Sequence, residues 1–344
     1  MNYLEKILHW KLIITYLIVV LGVTIVITAT LGPAHIPPLI VLKMLASRLP
    51  LLKVAPSWSV SEETIVFQIR LPRIILGVLV GAALGVAGTT MQGLFKNPMA
   101  DPYVIGISAG AALGATLAMV TLASLSMYIV PLMAFIFAMG AIFLVYSIAR
   151  VGGKLPTSTL LLSGIAVTLF LSAITSFMMY ISGEKLHGIV FWLMGGLWAS
   201  SWDDVWMTLP WILIGMMIIY IFARDLNVML LDEEPAQHLG VEVERLKKIM
   251  MIFTSLITAS AVAVSGIIGF VGLIIPHAMR ILVGPDHRIL LPCSALVGGV
   301  FLVWADTLAR TIIAPTEIPV GIITSIFGAP FFIYLLRKKK KSLY

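Results

Sequence analysis

Between Lys248 and Arg280 the chain reads IMMIFTSLITASAVAVSGIIGFVGLIIPHAM, residues 249–279, without one Asp, Glu, Lys or Arg. As a straight helix this run is about 46 Å long at 1.5 Å per residue, against ~30 Å for the hydrocarbon core of a bilayer. It is long for one crossing and short for two. The choice sets the side of the membrane on which everything after it lies. Gly266, Gly269, Gly272 and Pro276 allow a break inside the run. Short or broken helices are tolerated in a membrane where protein buries them. Parity decides. A single crossing puts the tail Arg337-Lys338-Lys339-Lys340-Lys341 outside, against the positive-inside rule, whereas two crossings put it inside with the N-terminus.

Outward from this run the chain has the same character. Of its 344 residues, 60% are hydrophobic and 11% charged, and the mean hydropathy is +1.06. A soluble domain is about 45–50% apolar and about 25% charged. The polar residues are too few to coat a globule, which excludes a cytosolic enzyme, a disordered chain and a disulfide-stapled secreted domain. Cys293 is the only cysteine, so no intrachain disulfide forms.

Charge-free intervals mark the crossings: Leu12–Ala34, Ile74–Phe95, Pro102–Ala149, Leu155–Gly183, Val205–Ala223, Ile249–Met279, Ile289–Ala305 and Ile318–Leu336. Pro102–Ala149 is 48 residues, about 72 Å as a helix. It must be two spans, with a turn near Ser124, Ser126 and Pro131. Lys6 and Lys11 precede a first run longer than the ~7–15 residues of a signal h-region, and no clean cleavage site follows. It is read as a span. The expectation is an all-α polytopic membrane protein: one transmembrane domain over 1–344, ten transmembrane helices, both termini cytoplasmic, multi-pass in the plasma membrane.

The net charge is +7. In a soluble protein that would hint at nucleic acid; here its distribution along the chain matters more, and no nucleic-acid partner is expected. Sixteen Lys and Arg fall inside and seven outside in the ten-span topology, and eleven against seven without the tail. The four-lysine tail suits anionic lipid.

Five of the eight tryptophans (Trp192, Trp198, Trp202, Trp206 and Trp211) fall in one stretch with Gly195 and Gly196. This reads as an outer interfacial segment, a short helix lying flat. Gly77, Gly81 and Gly85, and Gly106, Gly110 and Gly114, recur at i+4. Such ridges let helix backbones approach closely, as intramolecular packing or, less readily, as a subunit interface. The runs Ala82–Gly88 and Ala259–Gly266 echo each other and enter from opposite sides. That suits an inverted repeat of helices 2–5 and 7–10.

Enzyme chemistry is missing from the pattern. No HExxH, CxxC or GxSxG occurs, and Gly153-Lys154 lacks the spacing of a phosphate loop. Leu162-Ser163-Gly164 lies in an apolar span and reads as packing. His9, His35, His187, His238, His277 and His287 are scattered without metal-ligand spacing, so no metal or other cofactor is expected on this chain. Ion-coupled carriers keep acidic groups deep in the bilayer. Here Asp306 and Glu317 only flank the last outer turn, and Asp101 lies at an inner end. The driving force is therefore expected from another subunit.

The inner segment 224–248, RDLNVMLLDEEPAQHLGVEVERLKK, offers a place for it. It interleaves both charge signs with Leu226, Met229, Leu231, Leu239 and Val243; Pro235 can start a helix and Gly240 can end one. Two short amphipathic helices fit, either receiving a soluble partner or serving as a solvated connector.

Several motifs together resemble a known family. They are Arg70-Leu71-Pro72-Arg73, QGLFKNPMADP over 92–102, GISAG over 106–110, Leu239-Gly240-Val241, GFVGLIIPH over 269–277, Asp286-His287-Arg288, Ala305-Asp306 with Arg310, EIPVG over 317–321 and Gly328-Ala329-Pro330-Phe331. In order and spacing they are similar to the permeases of metal-chelate ABC importers, over roughly residues 65–336. The resemblance implies a ten-helix protomer that pairs with a second permease copy, as homodimer or heterodimer. Two ABC ATPase subunits, which use the ATP, dock from the cytoplasm. A substrate-binding protein or lipoprotein docks from outside. The cargo would be an iron–siderophore, haem or cobalamin, or in one branch an oxyanion such as molybdate, moved by alternating access with spans five and ten changing the opening.

By the same resemblance, Arg70, Arg73 and Arg310 match the outer arginines that meet the binding protein. Leu231, Asp232, Glu233, Ala236, Leu239 and Gly240 match the ATPase-coupling helices. Asn97 and Met99, with Thr157 and Ser158, match the cytoplasmic gate. The first outer loop, 35–68, departs from the pattern: it is long and carries Lys43, Arg48 and Lys53, which bears on docking. An ion-coupled secondary carrier is the rival reading; a membrane-embedded enzyme is disfavoured because no nucleophile or ligand cluster is present.

Overall fold

The computed structural model describes residues 3–48, 55–122, 126 and 128–341. Ser124 and Lys53 lie outside the described residues. Among them the chain is helical throughout, with no strand and a single isolated bridge between Val151 and Lys154.

The outer part of the first half comprises α1 (Tyr3–Thr30), α2 (Pro38–Ser47) and α3 (Val60–Thr64). Ser59 caps α3 in a reciprocal box with Glu62, so both the hydroxyl and the carboxylate satisfy amides left open at a helix start. The chain passes through one wide π turn, Ile65–Arg70, into α4 (Leu71–Leu94). Pro72 stands at the first turn of α4, where a missing N–H costs nothing. Then follow α5 (Ile107–Leu117), α6 (Ile129–Ala149), α7 (Thr157–Ile181) and α8 (Leu186–Leu193). The second half comprises α9 (Trp202–Ile221), α10 (Ala223–Met229), α11 (Glu233–His238), α12 (Val243–Ser265), α13 (Val271–Val283), α14 (His287–Thr311) and α15 (Val320–Lys341).

Among the described residues, seven helical stretches are long and apolar enough to cross a membrane: α1, 60–94, α6, α7, α9, α12 and α14. Four shorter apolar helices accompany them, at Pro38–Ser47, Ile107–Leu122, Val271–Val283 and Val320–Ile333. The decisive run 249–279 is broken. Gly266 ends α12 at φ +64, and Phe270 precedes α13 at φ +70. The break therefore falls at 266–270, whereas Pro276 sits inside α13. The run 102–149 divides as the length demands, with Pro131 in the first turn of α6. The tryptophan-rich stretch begins at the end of α8 with Trp192, crosses a loop with Trp198 and enters α9, which holds Trp202, Trp206 and Trp211; Ser201 caps α9 in a second reciprocal box with Asp204.

At the centre stands α4, buried at every position from Leu79 to Leu94. A helix apolar all round belongs in the middle of a bundle. Its small residues let neighbours come within backbone contact: a Cβ on Gly81, Gly85 or Gly88 would overlap the carbonyl of Gly298, Ser294 or Gly272. Gly110 and Gly114 approach the carbonyls of Phe137 and Met133 on α6 in the same way. Both glycine ridges therefore pack within the chain. Ser163 and Gly164 of α7 are likewise buried, with Gly164 against the backbone of Val104 and Ile105. The peripheral helices α1, α6, α7 and α9 expose Leu12, Tyr16, Phe143, Leu162, Phe170 and Met217, the surface expected where lipid is the solvent.

Candidate functional site

Two clusters lie at opposite ends of the bundle. At the end expected to lie outside, Arg70, Arg73 and Arg310 do converge, but their guanidinium groups turn into the protein. Arg70 is 4% and Arg310 6% exposed. Arg70 donates to the carbonyls of Ala29, at 2.7 Å, and Ala34. Arg310 donates to Leu31 O at 2.7 Å and Thr28 O at 2.8 Å. A helix leaves its last carbonyls unpaired, and these two cations supply donors to the end of α1 and the turn beyond it.

Arg73 grips two carboxylates at once. Its Nε and Nη2 donate to Asp306 at 2.9 and 2.8 Å, and its Nη1 and Nη2 to Glu317 at 3.0 and 2.9 Å. Planar forks of this kind fix orientation as well as charge. Asp306 is buried, while Glu317 is the more open partner, with a side chain 35% exposed. In the long first loop, Arg48 is exposed, pairs with Glu63 at 2.7 Å and lies over the ring of Phe67; Lys43 is also exposed.

At the opposite end, α10 and α11 form the two short helices expected of segment 224–248, closed by Gly240 at φ +86. Ala236 is fully buried and roots α11 in the protein. Leu231 and Leu239 are 58% and 64% exposed, beside the partly exposed Leu230. Asp232, at φ +117, precedes α11, and Glu233 is its first residue.

The residues that the resemblance matches to a gate occupy two segments. Asn97 is exposed and its Oδ1 accepts from the Met99 amide at 2.9 Å; Met99 is exposed too. Thr157 and Ser158 open α7 after Pro156. Among the described residues no hydrogen bond joins the two segments. Each is tied instead to residues of segment 224–248. Lys96 reaches Asp232 at 2.6 Å, and Lys247, itself buried, bonds Glu233 at 2.8 Å and Leu155 O at 3.3 Å. Sequence reasoning did not single out Lys96 or Lys247. Lys247 was legible only as a cation in a charged inner loop, and its burial follows from packing.

Nearby, the interruption after α4 and the one before α13 meet. Tyr103 Oη donates to Ile268 O at 3.1 Å and Gln92 Nε2 to Leu273 O at 3.2 Å. Asp101 accepts from the Tyr103 amide at 2.8 Å. Burial pushes its carboxyl up to about 6, against the pull of that amide. Asp101, Tyr103, Ile165, Thr168 and Phe270 line a cavity of about 440 Å³ beside α7. The motif Asp286-His287-Arg288 also finds its use here. Asn227 of α10 donates to Asp286 at 2.8 Å and accepts from the His287 amide at 2.7 Å, fastening the coupling segment to α14. Among the described residues no group of three His, Cys, Asp or Glu is placed to hold a metal.

Residues 18–338 match the model of the FecCD transport family. The cobalamin import system permease protein BtuC of Halobacterium salinarum is 52% identical over 280 residues, 81% of this chain and 75% of that protein. The hemin transport system permease protein HmuU of Yersinia pestis is 42% identical over 280 residues, 80% of this chain and 83% of that protein. A solved structure described as an inward-facing conformation of a metal-chelate type ABC transporter superposes with a TM-score of 0.83 at 34% identity, covering 95% of this chain and 99% of that one. With a helical bundle apolar on its outside and glycine-packed at its centre, the chain belongs to the FecCD transport family, as a multi-pass membrane permease of an ABC importer.

Proposed function

We propose that this permease passes a metal chelate through the membrane, with cobalamin the first cargo to test and haem the second. The support is the higher identity to the cobalamin permease than to the hemin permease. The reading takes ten crossings, the seven long stretches together with 107–122, 271–283 and 320–333, and places both ends in the cytoplasm. The inverted repeat is supported by a shared pattern. In each half a long helix ends at a loop with a positive φ, at Lys96 and Gly106 or at Gly266 and Phe270, before a short helix and a further crossing.

The observation that carries the coupling role is the apolar cytoplasmic corner. Leu230, Leu231 and Leu239 stand exposed around α11 while Ala236 anchors it. Water-facing leucines beside charged residues mark a docking surface, and an ABC ATPase is the partner that fits. On the outside a substrate-binding protein delivers the cargo. Arg70 and Arg310 donate to the end of α1 and the turn beyond it, so they contribute by holding the rim in shape; Glu317 offers the more accessible charge. A second permease copy completes the pathway and brings its own Asn97, Met99, Thr157 and Ser158 to the seal.

The test is uptake in vesicles. The permease, its ATPase and its binding protein are reconstituted together, and labelled cobalamin, haem, a ferric siderophore and molybdate are offered with and without ATP. ATP-dependent uptake of one chelate is the expected result. Uptake of molybdate alone, or uptake by the permease alone under an ion gradient, overturns the reading.

A further inference from the structure

Adjacent acids at the start of α11 face two different parts of the protein. Asp232 pairs with Lys96 at 2.6 Å, and Lys96, at φ +50, is the residue before Asn97-Pro98-Met99. Glu233 pairs with Lys247 at 2.8 Å. The Lys247 ammonium also bonds Leu155 O at 3.3 Å and Glu244 at 3.3 Å, while Glu244 accepts the Leu155 amide at 2.8 Å. Both backbone groups of Leu155 are thus held from α12, two residues before Thr157 and Ser158.

We propose that Asp232–Lys96 and Glu233–Lys247–Leu155 are two links that carry movement of α11 to the two gate segments. This rests on the coupling and gate reading above and deepens it: Asp232 and Glu233, exposed themselves, serve as positioning residues through the less exposed Lys96 and Lys247 rather than as ATPase contacts alone. The geometry suits transmission. Each link is one side-chain pair long, so a rigid shift of α11 reaches Asn97 and Thr157 with little slack. The Lys247 side chain is 5% exposed and that of Lys96 29%. Water therefore competes least at the α7 link. The Lys96 pair is open on its Asp232 side; an exposed pair adds little stability, so its loss leaves the fold intact and exposes the positioning role.

The experiment uses the whole transporter in vesicles and reads cargo taken up per ATP hydrolysed. Lys96→Met is expected to lower this ratio at least threefold, with copurification of the ATPase and its hydrolysis rate kept. Lys96→Arg retains the ratio, and the swap K96D with D232K restores it towards the wild type. Glu233→Gln, which keeps a hydrogen-bonding oxygen but weakens the hold on Lys247, gives an independent fall. An unchanged ratio in Lys96→Met, or a fall that the swap does not restore, overturns the first link; an unchanged ratio in Glu233→Gln overturns the second. A wild-type chain that assembles with no ATPase overturns the reading beneath both.

Discussion

Gly81 of α4 and Gly298 of α14 lie face to face, each with its α-carbon against the other's carbonyl, so that a methyl group on either would overlap the opposite backbone. Replacing Gly81 by alanine must push two central helices apart. Overpacking of this kind costs about 1–3 kcal/mol, and the melting temperature in detergent is expected to fall accordingly. Gly140 in α6 has nothing within 4 Å of such a methyl. There alanine is expected to be neutral or stabilising by up to about 1 kcal/mol, from helix propensity alone. Equal effects at the two sites would refute the packing account.

Arg73 neutralises Asp306 and Glu317 together. Removing one member of a buried charge pair costs on the order of 3–5 kcal/mol, because the remaining charge stays desolvated. Arg73→Met is therefore expected to lower thermal stability sharply, and Asp306→Asn added to it to recover part of the loss. Additive losses in that double-mutant cycle would show that the two groups do not interact.

Asp101 is the buried carboxyl on which pH acts. Its folded-state value of about 6 lies above the ordinary 3.8, so the folded protein holds that proton more tightly than the unfolded chain does. The contribution is complete below about pH 4 and is lost as pH rises through 6, by about 1–3 kcal/mol. Thermal melts between pH 4 and 7 should show this decline in the wild type and a flatter profile in Asp101→Asn, which keeps an acceptor for the Tyr103 amide. Parallel profiles would dismiss Asp101 as the source.

Leu231→Glu together with Leu239→Glu should spare the fold, since both side chains are exposed, and should abolish copurification with the ATPase. A variant that retains the ATPase would move the docking surface elsewhere.

Much of the fold was legible because membranes impose length. A run of 48 residues without charge cannot cross once, and the glycines in 249–279 mark where a helix can stop. The position of that stop was less so. Gly266 and Phe270 adopt positive φ while Pro276 continues α13, since neighbouring helices bury the proline. The inner helices were readable from Pro235 and Gly240. The orientation of the outer arginines was not. Charge position along the chain says that Arg70 and Arg310 lie outside, but their partners are the carbonyls of Thr28, Ala29, Leu31 and Ala34, up to 282 residues away. Lys247 was hidden for a related reason: a lysine between Leu246 and Lys248 gives no sign that three oxygen partners will enclose it.

Because α4 meets α13 and α14 through bare backbone, these three helices have no cushion of side chains across which to slide. They behave as a single mast. Any rearrangement of the pathway is then expected to carry these three helices together and to fall on helices that meet them through side chains.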